Sequence, residues 1–86
     1  MSYRVLIEDK ALKAIAELPA PVRAQVTAQI DALAGDPRPP RAEALTGGLR
    51  GRLKLRVRDW RVVYEVDDEQ RRVTVTRIRH RSKAYR

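Results

Sequence analysis

The sequence predicts an α+β fold of the order β-α-α-β-β-β, with a two-helix hairpin packed on one face of an antiparallel sheet. Two stretches with the apolar spacing of helices occupy residues 10–35, and three stretches of alternating apolar and polar residues occupy residues 52–79. With 86 residues, the chain is long enough for one two-layer core and too short for a second. We therefore expect a single domain over residues 1–86.

The N-terminal elements are predicted from alternation, capping and proline. Residues Tyr3–Glu8 alternate as a short strand, and Asp9 follows as the expected N-cap of a helix over Lys10–Leu18. Pro19 ends this helix because proline cannot donate the backbone hydrogen bond that a helix interior requires. The apolar positions expected to face the core are Leu12, Ile15, Ala16 and Leu18.

A second helix is predicted between Pro21 and Gly35, since proline is tolerated in the first helical turn and glycine is common just beyond the last. The proline-rich segment Asp36–Pro40 is typical of an extended connector within the domain. Leu45 is expected to anchor the following loop in the core. The apolar stripe of the second helix consists of Val22, Val26, Ile30 and Leu33.

The C-terminal half predicts three strands. Arg52–Val57 and Trp60–Val66 alternate on either side of Arg58–Asp59, which indicates a hairpin, and Arg72–Arg79 is the predicted last strand. A slightly longer turn is the alternative, because Arg-Asp is not a preferred turn pair. With a two-residue turn, the side of the hairpin that faces the helices consists of Leu53, Leu55, Val57, Trp60, Val62, Tyr64 and Val66.

The other face of the hairpin is predicted to be cationic. Its charged residues are Arg52, Lys54, Arg56 and Arg61, with Glu65 as the nearby counter-charge. The two-residue turn places Arg56 opposite Arg61, and directly opposed like charges destabilise a sheet. Two interpretations remain, namely a solvated outer face that resists edge-to-edge aggregation and a binding site for a polyanion.

The distribution of charge favours the polyanion site. Residues 1–48 contain six basic and six acidic side chains, whereas residues 49–86 contain thirteen and five, so the whole excess of +8 lies in the second part. In a regular strand, Arg77 and Arg79 would point to the same face as Val73 and Val75. Either a bulge turns the end of the strand so that the arginines face the other way, or these arginines lie at its rim. The C-terminal basic run consists of Arg77, Arg79, His80, Arg81 and Lys83.

Two residues near the C-terminus have alternative roles. Tyr85 either stacks on an exposed nucleobase or packs on the sheet as an amphipathic ring. His80 either transfers a proton near neutral pH or serves as a surface hydrogen-bond donor.

Composition and spacing exclude several chemistries. The chain has no cysteine and one histidine, which excludes disulfides and a Cys/His zinc site. Ser82 has no expected base and orienting group, and the carboxylates of the N-terminal half fall at caps and helix surfaces. The longest apolar runs have three residues, so we expect no signal peptide, membrane span or membrane partner. We expect a cytoplasmic protein that uses neither a metal nor a cofactor.

A cationic site of this kind suits cleavage of RNA by its own ribose 2′-hydroxyl. The reaction needs removal of a proton, neutralisation of the phosphorane charge and protonation of the departing oxygen. Positive neighbours favour the neutral form of a lysine amine, so Lys54 is the predicted base, and guanidinium groups suit the phosphate oxygens.

Four segments of the chain resemble the RelE/ParE superfamily of toxins from bacterial toxin–antitoxin pairs. They are DKALKAIAELP, ALAGDPRP, RLKLRVRDWRVVYEVD and RHRSKAYR. The most specific part is the pattern K-L-R-x-x-x-[WY]-R-V-V-Y followed by R-x-x-x-Y. The resemblance covers nearly the whole chain and implies a RelE-like fold.

Similarity to the RelE branch, whose members are ribosome-dependent messenger RNA endonucleases, implies roles for individual residues. Lys54 matches a position used as the base, and Arg61 matches one that contacts the scissile phosphate. Arg79 or Arg81 matches a position that assists phosphate stabilisation or leaving-group protonation. Tyr85 matches one that stacks on a base.

The remaining substrate-binding positions are expected at Arg52, Arg56 and His80, together with Tyr85. Arg52 stands where RelE has a further lysine, which leaves open how proton transfer is shared among the basic residues.

The resemblance also implies partners. These are a cognate antitoxin protein, messenger RNA on the ribosome, and operator DNA reached only through the antitoxin complex. The superfamily includes ParE-type toxins, which poison DNA gyrase and lack the cationic ribonuclease residues. A ribonuclease is therefore the favoured function, and a gyrase inhibitor or a non-catalytic RNA-binding module are the alternatives.

Overall fold

The structure, a computed structural model, describes residues 2–45 and 51–84. It has the predicted α+β fold, and the two longer helices pack on one face of the sheet. Its elements are β1 (Arg4–Ile7), α1 (Asp9–Ala16), α2 (Ala20–Ala32), β2 (Glu43–Ala44), β3 (Arg52–Val57), β4 (Trp60–Asp67), β5 (Arg72–His80) and α3 (Arg81–Ala84).

The sheet is mixed, in contrast to the purely antiparallel sheet that was predicted. The strand order is β1-β5-β4-β3-β2, in which β1 lies parallel to β5 and all other pairs are antiparallel. Parallel neighbours require a long connection, and here the helices and the intervening strands supply it. The short strand β2 was not predicted, because two residues are too few to show alternation.

The β3–β4 hairpin has the predicted two-residue turn and the predicted register, from Arg52 opposite Glu65 to Val57 opposite Trp60. Arg58 adopts a φ of 56°, the left-handed conformation that such a tight connection demands. Alternate residues of the hairpin therefore lie on opposite faces of the sheet.

Helix α1 differs from the prediction in its N-cap residue and in the residues that face the core. Glu8, and not Asp9, occupies the N-cap position, and its side chain makes no capping hydrogen bond. Asp9 is the first helical residue, where its carboxylate interacts favourably with the positive end of the helix dipole. Leu12 and Ala16 were expected in the core but are exposed, Leu12 by 53%, because the helix buries Ala11 and Ile15, with Leu18 buried just beyond its end.

Helix α2 packs as predicted, with Val26, Ile30 and Leu33 buried and Val22 partly buried against them. Beneath the helices, the sheet contributes a fully buried Tyr64. The remaining buried residues of the sheet layer are Leu55, Val57, Val62, Val73, Val75 and Ile78.

Tyr64 joins the core to the proline-rich connector. Its hydroxyl donates a 2.8 Å hydrogen bond to the carbonyl oxygen of Pro37, so the polar end of a buried ring is satisfied. Burial raises the pKa of the Tyr64 phenol to about 12.

A surface cluster joins the N-terminus, the connector and the β4–β5 turn. The Tyr3 hydroxyl donates to Asp68 Oδ1 at 2.7 Å, and the Arg38 guanidinium donates to both carboxylate oxygens at 3.0 and 2.9 Å. The hydrogen bonds from Arg38 and then Tyr3 lower the pKa of Asp68 from 3.8 to about 2. The charged form of Asp68 is therefore favoured in the folded state.

Replacing Asp68 with asparagine is expected to flatten the acid limb of the stability curve. A carboxyl whose folded pKa is depressed stabilises the protein fully above its unfolded pKa, and this contribution is lost as the pH falls through about 2. Urea unfolding from pH 5 down to pH 2 measures the effect. Asp31→Asn on α2 is the matched control and should follow the wild-type curve, and identical curves for Asp68→Asn would contradict the prediction.

A candidate nucleic-acid interface

Long basic side chains from three adjacent strands lie on the face of the sheet opposite the helices. We call this surface the cationic face, and it consists of Arg52, Lys54 and Arg56 on β3, Arg61 on β4, and Arg77 and Arg79 on β5. One row across the sheet is Arg56, Arg61 and Arg79, which are direct cross-strand neighbours. The next row begins at Lys54. Neighbouring strands are about 4.8 Å apart, so the charges are concentrated in a small area.

A β-bulge brings the two β5 arginines onto this face. The β4–β5 register changes so that Val63 pairs with Arg77 whereas Tyr64 pairs with Val75, which leaves Thr76 as the extra residue. The buried Thr76 hydroxyl donates to the carbonyl oxygen of Val63 at 3.2 Å. Of the two alternatives left by the sequence, the structure therefore shows the bulge.

Carboxylates are found at the margins of the cationic face. Glu65 lies 3.7 Å from Arg52 Nε at one end, and Glu43 on β2 is the cross-strand neighbour of Lys54. Within residues 2–45 and 51–84, no ion pair involves Lys54, Arg56, Arg77 or Arg79. The middle of the face therefore has a positive potential that a polyanion would neutralise.

Arg81 lies apart from this face. Its backbone N–H donates to the carbonyl oxygen of Asp59 at 2.7 Å, and its guanidinium is 3.8 Å from the Asp59 carboxylate. These contacts join the start of α3 to the hairpin turn. Of the two arginines proposed to assist the phosphate, Arg79 is the one that neighbours Arg61.

His80 also lies apart from the cationic face, because it is the cross-strand neighbour of Trp60. The two rings meet edge to face at 5.0 Å and line a groove of about 520 Å³ between α1 and the end of β5. The Ser82 hydroxyl lies 3.0 Å from His80 Nδ1. The Ser82 backbone N–H also donates to that nitrogen at 3.3 Å, which is a helix-capping contact.

The structure thus brings together Lys54, Arg56, Arg61 and Arg79, with Arg52 at one end of the same face. Tyr85 lies outside the described residues. Its stacking role stays a prediction, as do the catalytic and binding roles of all the other residues named here.

Sequence reasoning missed two residues beside this cluster. Glu43 was missed because its strand is two residues long. Arg77 was noticed in the basic run but was not among the predicted site residues, because the family resemblance implied no role for it.

In the described part of the chain, no group of three or more His, Cys, Asp or Glu residues is arranged to hold a metal ion. No helix there has the length and apolar character needed to cross a membrane. The chemistry that the described side chains themselves offer is recognition of phosphate groups by guanidinium and ammonium ions.

Solved structures of RelE toxins have the same fold. RelBE2 from Mycobacterium tuberculosis, a toxin–antitoxin complex, matches with a TM-score of 0.84 and 27% identity over 94% of this chain and 100% of that one. The archaeal RelE–RelB complex from Pyrococcus horikoshii matches with a TM-score of 0.84 and 26% identity over 96% of this chain and 99% of that one. The isolated RelE toxin of Escherichia coli matches with a TM-score of 0.79 and 28% identity over 98% of this chain and 92% of that one.

The family model for the ParE toxin of type II toxin–antitoxin systems, parDE, matches residues 5–85. A comparison with curated proteins found no match. The chain belongs to the RelE/ParE superfamily of toxins of type II toxin–antitoxin systems, and its strong structural matches include RelE toxins.

Proposed function

We propose that this toxin is a ribosome-dependent endoribonuclease that cleaves messenger RNA. The observation that supports the proposal is the row of Arg56, Arg61 and Arg79 beside Lys54 on one sheet face. An amine can remove the 2′-hydroxyl proton, and guanidinium groups can neutralise the charge that develops on the phosphate oxygens. Because these side chains supply the positive charge themselves, the proposed reaction needs no metal ion.

In the proposed reaction, the Lys54 amine accepts the proton of a ribose 2′-hydroxyl. The 2′-oxygen then forms a bond to the adjacent phosphorus, and the bond from phosphorus to the 5′-oxygen of the next nucleotide breaks. Arg61 binds the scissile phosphate and Arg79 hydrogen-bonds the departing 5′-oxygen, which takes its proton from water. The products are a 2′,3′-cyclic phosphate and a 5′-hydroxyl.

A cognate antitoxin is the proposed protein partner, since the relatives from M. tuberculosis and P. horikoshii were solved as toxin–antitoxin complexes. An antitoxin segment with acidic and apolar side chains would complement the cationic face. Other segments of the antitoxin would cover Leu6 on β1 and Leu12 on α1, large apolar side chains that are 41% and 53% exposed. Operator DNA would be bound only through that complex.

The second candidate function is inhibition of DNA gyrase. It is favoured by the family match, because the model that matches residues 5–85 is that of the ParE toxin. Such a toxin needs no chemistry of its own, so the charged row would then serve binding alone.

An in-vitro translation reaction tests the proposal. Purified protein is added, and the 5′ ends of the messenger RNA are mapped by primer extension on ribosome-engaged message and on RNA alone. We expect cuts only on engaged message, and we expect the Lys54→Ala/Arg61→Ala double variant to abolish them. Arg23→Ala, which removes a charge from the helical side, is the matched control and should cleave normally.

Three other outcomes of these assays would contradict the proposed ribonuclease function or its assignment to the cationic face. Cuts that persist in a folded double variant would show that the cationic face is not the catalytic site. If no cuts occur and a supercoiling assay shows loss of gyrase activity, the gyrase function replaces the ribonuclease. If neither activity occurs, the protein is at most a nucleic-acid-binding module.

A further inference from the structure

Arg77 is a cation of the same face that has no role in the reaction proposed above. It lies on β5 directly after the bulged Thr76 and is the cross-strand neighbour of Val63 on β4. Its side chain is exposed, and no ion pair to it occurs among the described residues. Arg77 therefore presents an uncompensated charge beside the row that contains Arg61.

The residue between Lys54 and Arg77 is small and apolar. Val63 is the cross-strand neighbour of both, and it is only 8% exposed although it lies on the face opposite the core. Two strand spacings separate the backbones of Lys54 and Arg77, which is about 9.6 Å. Lys54 and Arg77 are thus the cross-strand neighbours on either side of a nearly buried valine, and we call this position of three residues the notch.

The notch lies next to the row of three arginines. Successive outward residues along a strand are separated by about 6.7 Å, so the notch and the row are one such step apart. A chain of phosphates that runs along the strand direction would meet the guanidinium row first and then the notch. An isolated phosphate would need only one of them.

We propose that Arg77 forms a second phosphate-binding position over Val63, beside Lys54, that holds the nucleotide flanking the scissile phosphate. The proposal rests on the proposed function, because it assumes that the cationic face binds single-stranded RNA. It assigns Arg77 to substrate binding and not to the chemical step. The Thr76 bulge is the structural cause, since without the extra residue Arg77 would point toward the core.

Binding of a ten-nucleotide oligouridine, measured by fluorescence anisotropy at several KCl concentrations, tests the proposal. Each phosphate contact on a single strand contributes about 0.7 to the slope of log K against log salt. Arg77→Ala is expected to reduce that slope by about 0.7 and to weaken binding about fivefold at low salt. Arg77→Lys, which keeps the charge, is expected to retain the wild-type slope.

Arg23→Ala on α2 is the matched control, because it removes one charge on the helical side. An unchanged slope in folded Arg77→Ala would overturn the proposal, as would an equal reduction in Arg23→Ala. In the cleavage assay, Arg77→Ala is expected to raise KM about fivefold with little change in kcat. A loss confined to kcat would also overturn it.

The two proposals can fail separately. If the wild-type protein cleaves ribosome-engaged message but Arg77→Ala leaves salt slope and KM unchanged, only the flanking position is wrong. If the wild-type protein does not cleave but the slope depends on Arg77, the binding position stands and the ribonuclease function is wrong.

Discussion

Replacement of Lys54 by methionine is expected to lower the rate of messenger RNA cleavage by about 10² to 10⁴, the usual contribution of a positioned general base. Methionine keeps much of the length of the lysine side chain but can neither accept a proton nor carry a charge. Lys54 is partly exposed on β3, outside the buried core, so the variant should fold. Primer extension over a time course in the translation reaction measures the rate.

Lys54→Arg separates charge from proton transfer. Arginine preserves the positive charge but stays protonated, so it cannot act as the base. We expect Lys54→Arg to cleave as slowly as Lys54→Met while binding RNA as tightly as the wild-type protein. Cleavage by Lys54→Arg at the wild-type rate would show that position 54 contributes charge only and that another group removes the proton.

Truncation of Tyr64 to alanine is expected to destabilise the protein by about 3–5 kcal/mol, the range for removal of a large buried aromatic side chain. Tyr64 is fully buried, and its hydroxyl satisfies the Pro37 carbonyl at 2.8 Å. A small domain has a total stability of about 5–15 kcal/mol, so the variant would lose a large fraction of it. Urea unfolding followed by circular dichroism gives the difference.

Tyr64→Phe isolates the hydroxyl. Its loss is expected to cost about 0.5–1.5 kcal/mol near neutral pH, because the Pro37 carbonyl loses a hydrogen bond. The folded pKa of Tyr64 is raised to about 12, so its contribution is fully present below the unfolded value near 10 and is lost as the pH rises through 12. Between pH 9 and 12 the wild-type protein should therefore lose more stability than Tyr64→Phe, and parallel curves would contradict this assignment.

Local patterns predicted the elements well where each residue's environment depends on its near neighbours in the chain. The register of the β3–β4 hairpin follows from a two-residue turn, because the turn length determines which residues face each other. The buried stripe Val26, Ile30 and Leu33 follows from helical spacing. In α1 the same reasoning selected Leu12, because several stripes on a short helix contain apolar residues and the sequence does not say which one faces the sheet.

The candidate site was predictable in part. Lys54, Arg56 and Arg61 lie together as predicted, since they depend on one hairpin. The position of Arg79 opposite Arg61 depends on the β4–β5 register, and that register includes a bulge at Thr76. An extra residue moves every later residue of the strand to the opposite face, so alternation counted along the chain could not decide between a bulge and a rim position for the end of β5, and the structure shows the bulge.

The sequence by itself determined the class of fold, the two helices, the hairpin and the accumulation of positive charge in the second half, because these follow from spacing and composition along the chain. The tertiary structure alone decided that β1 joins β5 in parallel, that Arg77 and Arg79 share a face with Lys54 and Arg61, and that His80 and Arg81 do not. The physical reason is that these features depend on contacts between distant segments. A parallel pairing and a single bulged residue are chosen by packing across the sheet, which no local pattern records.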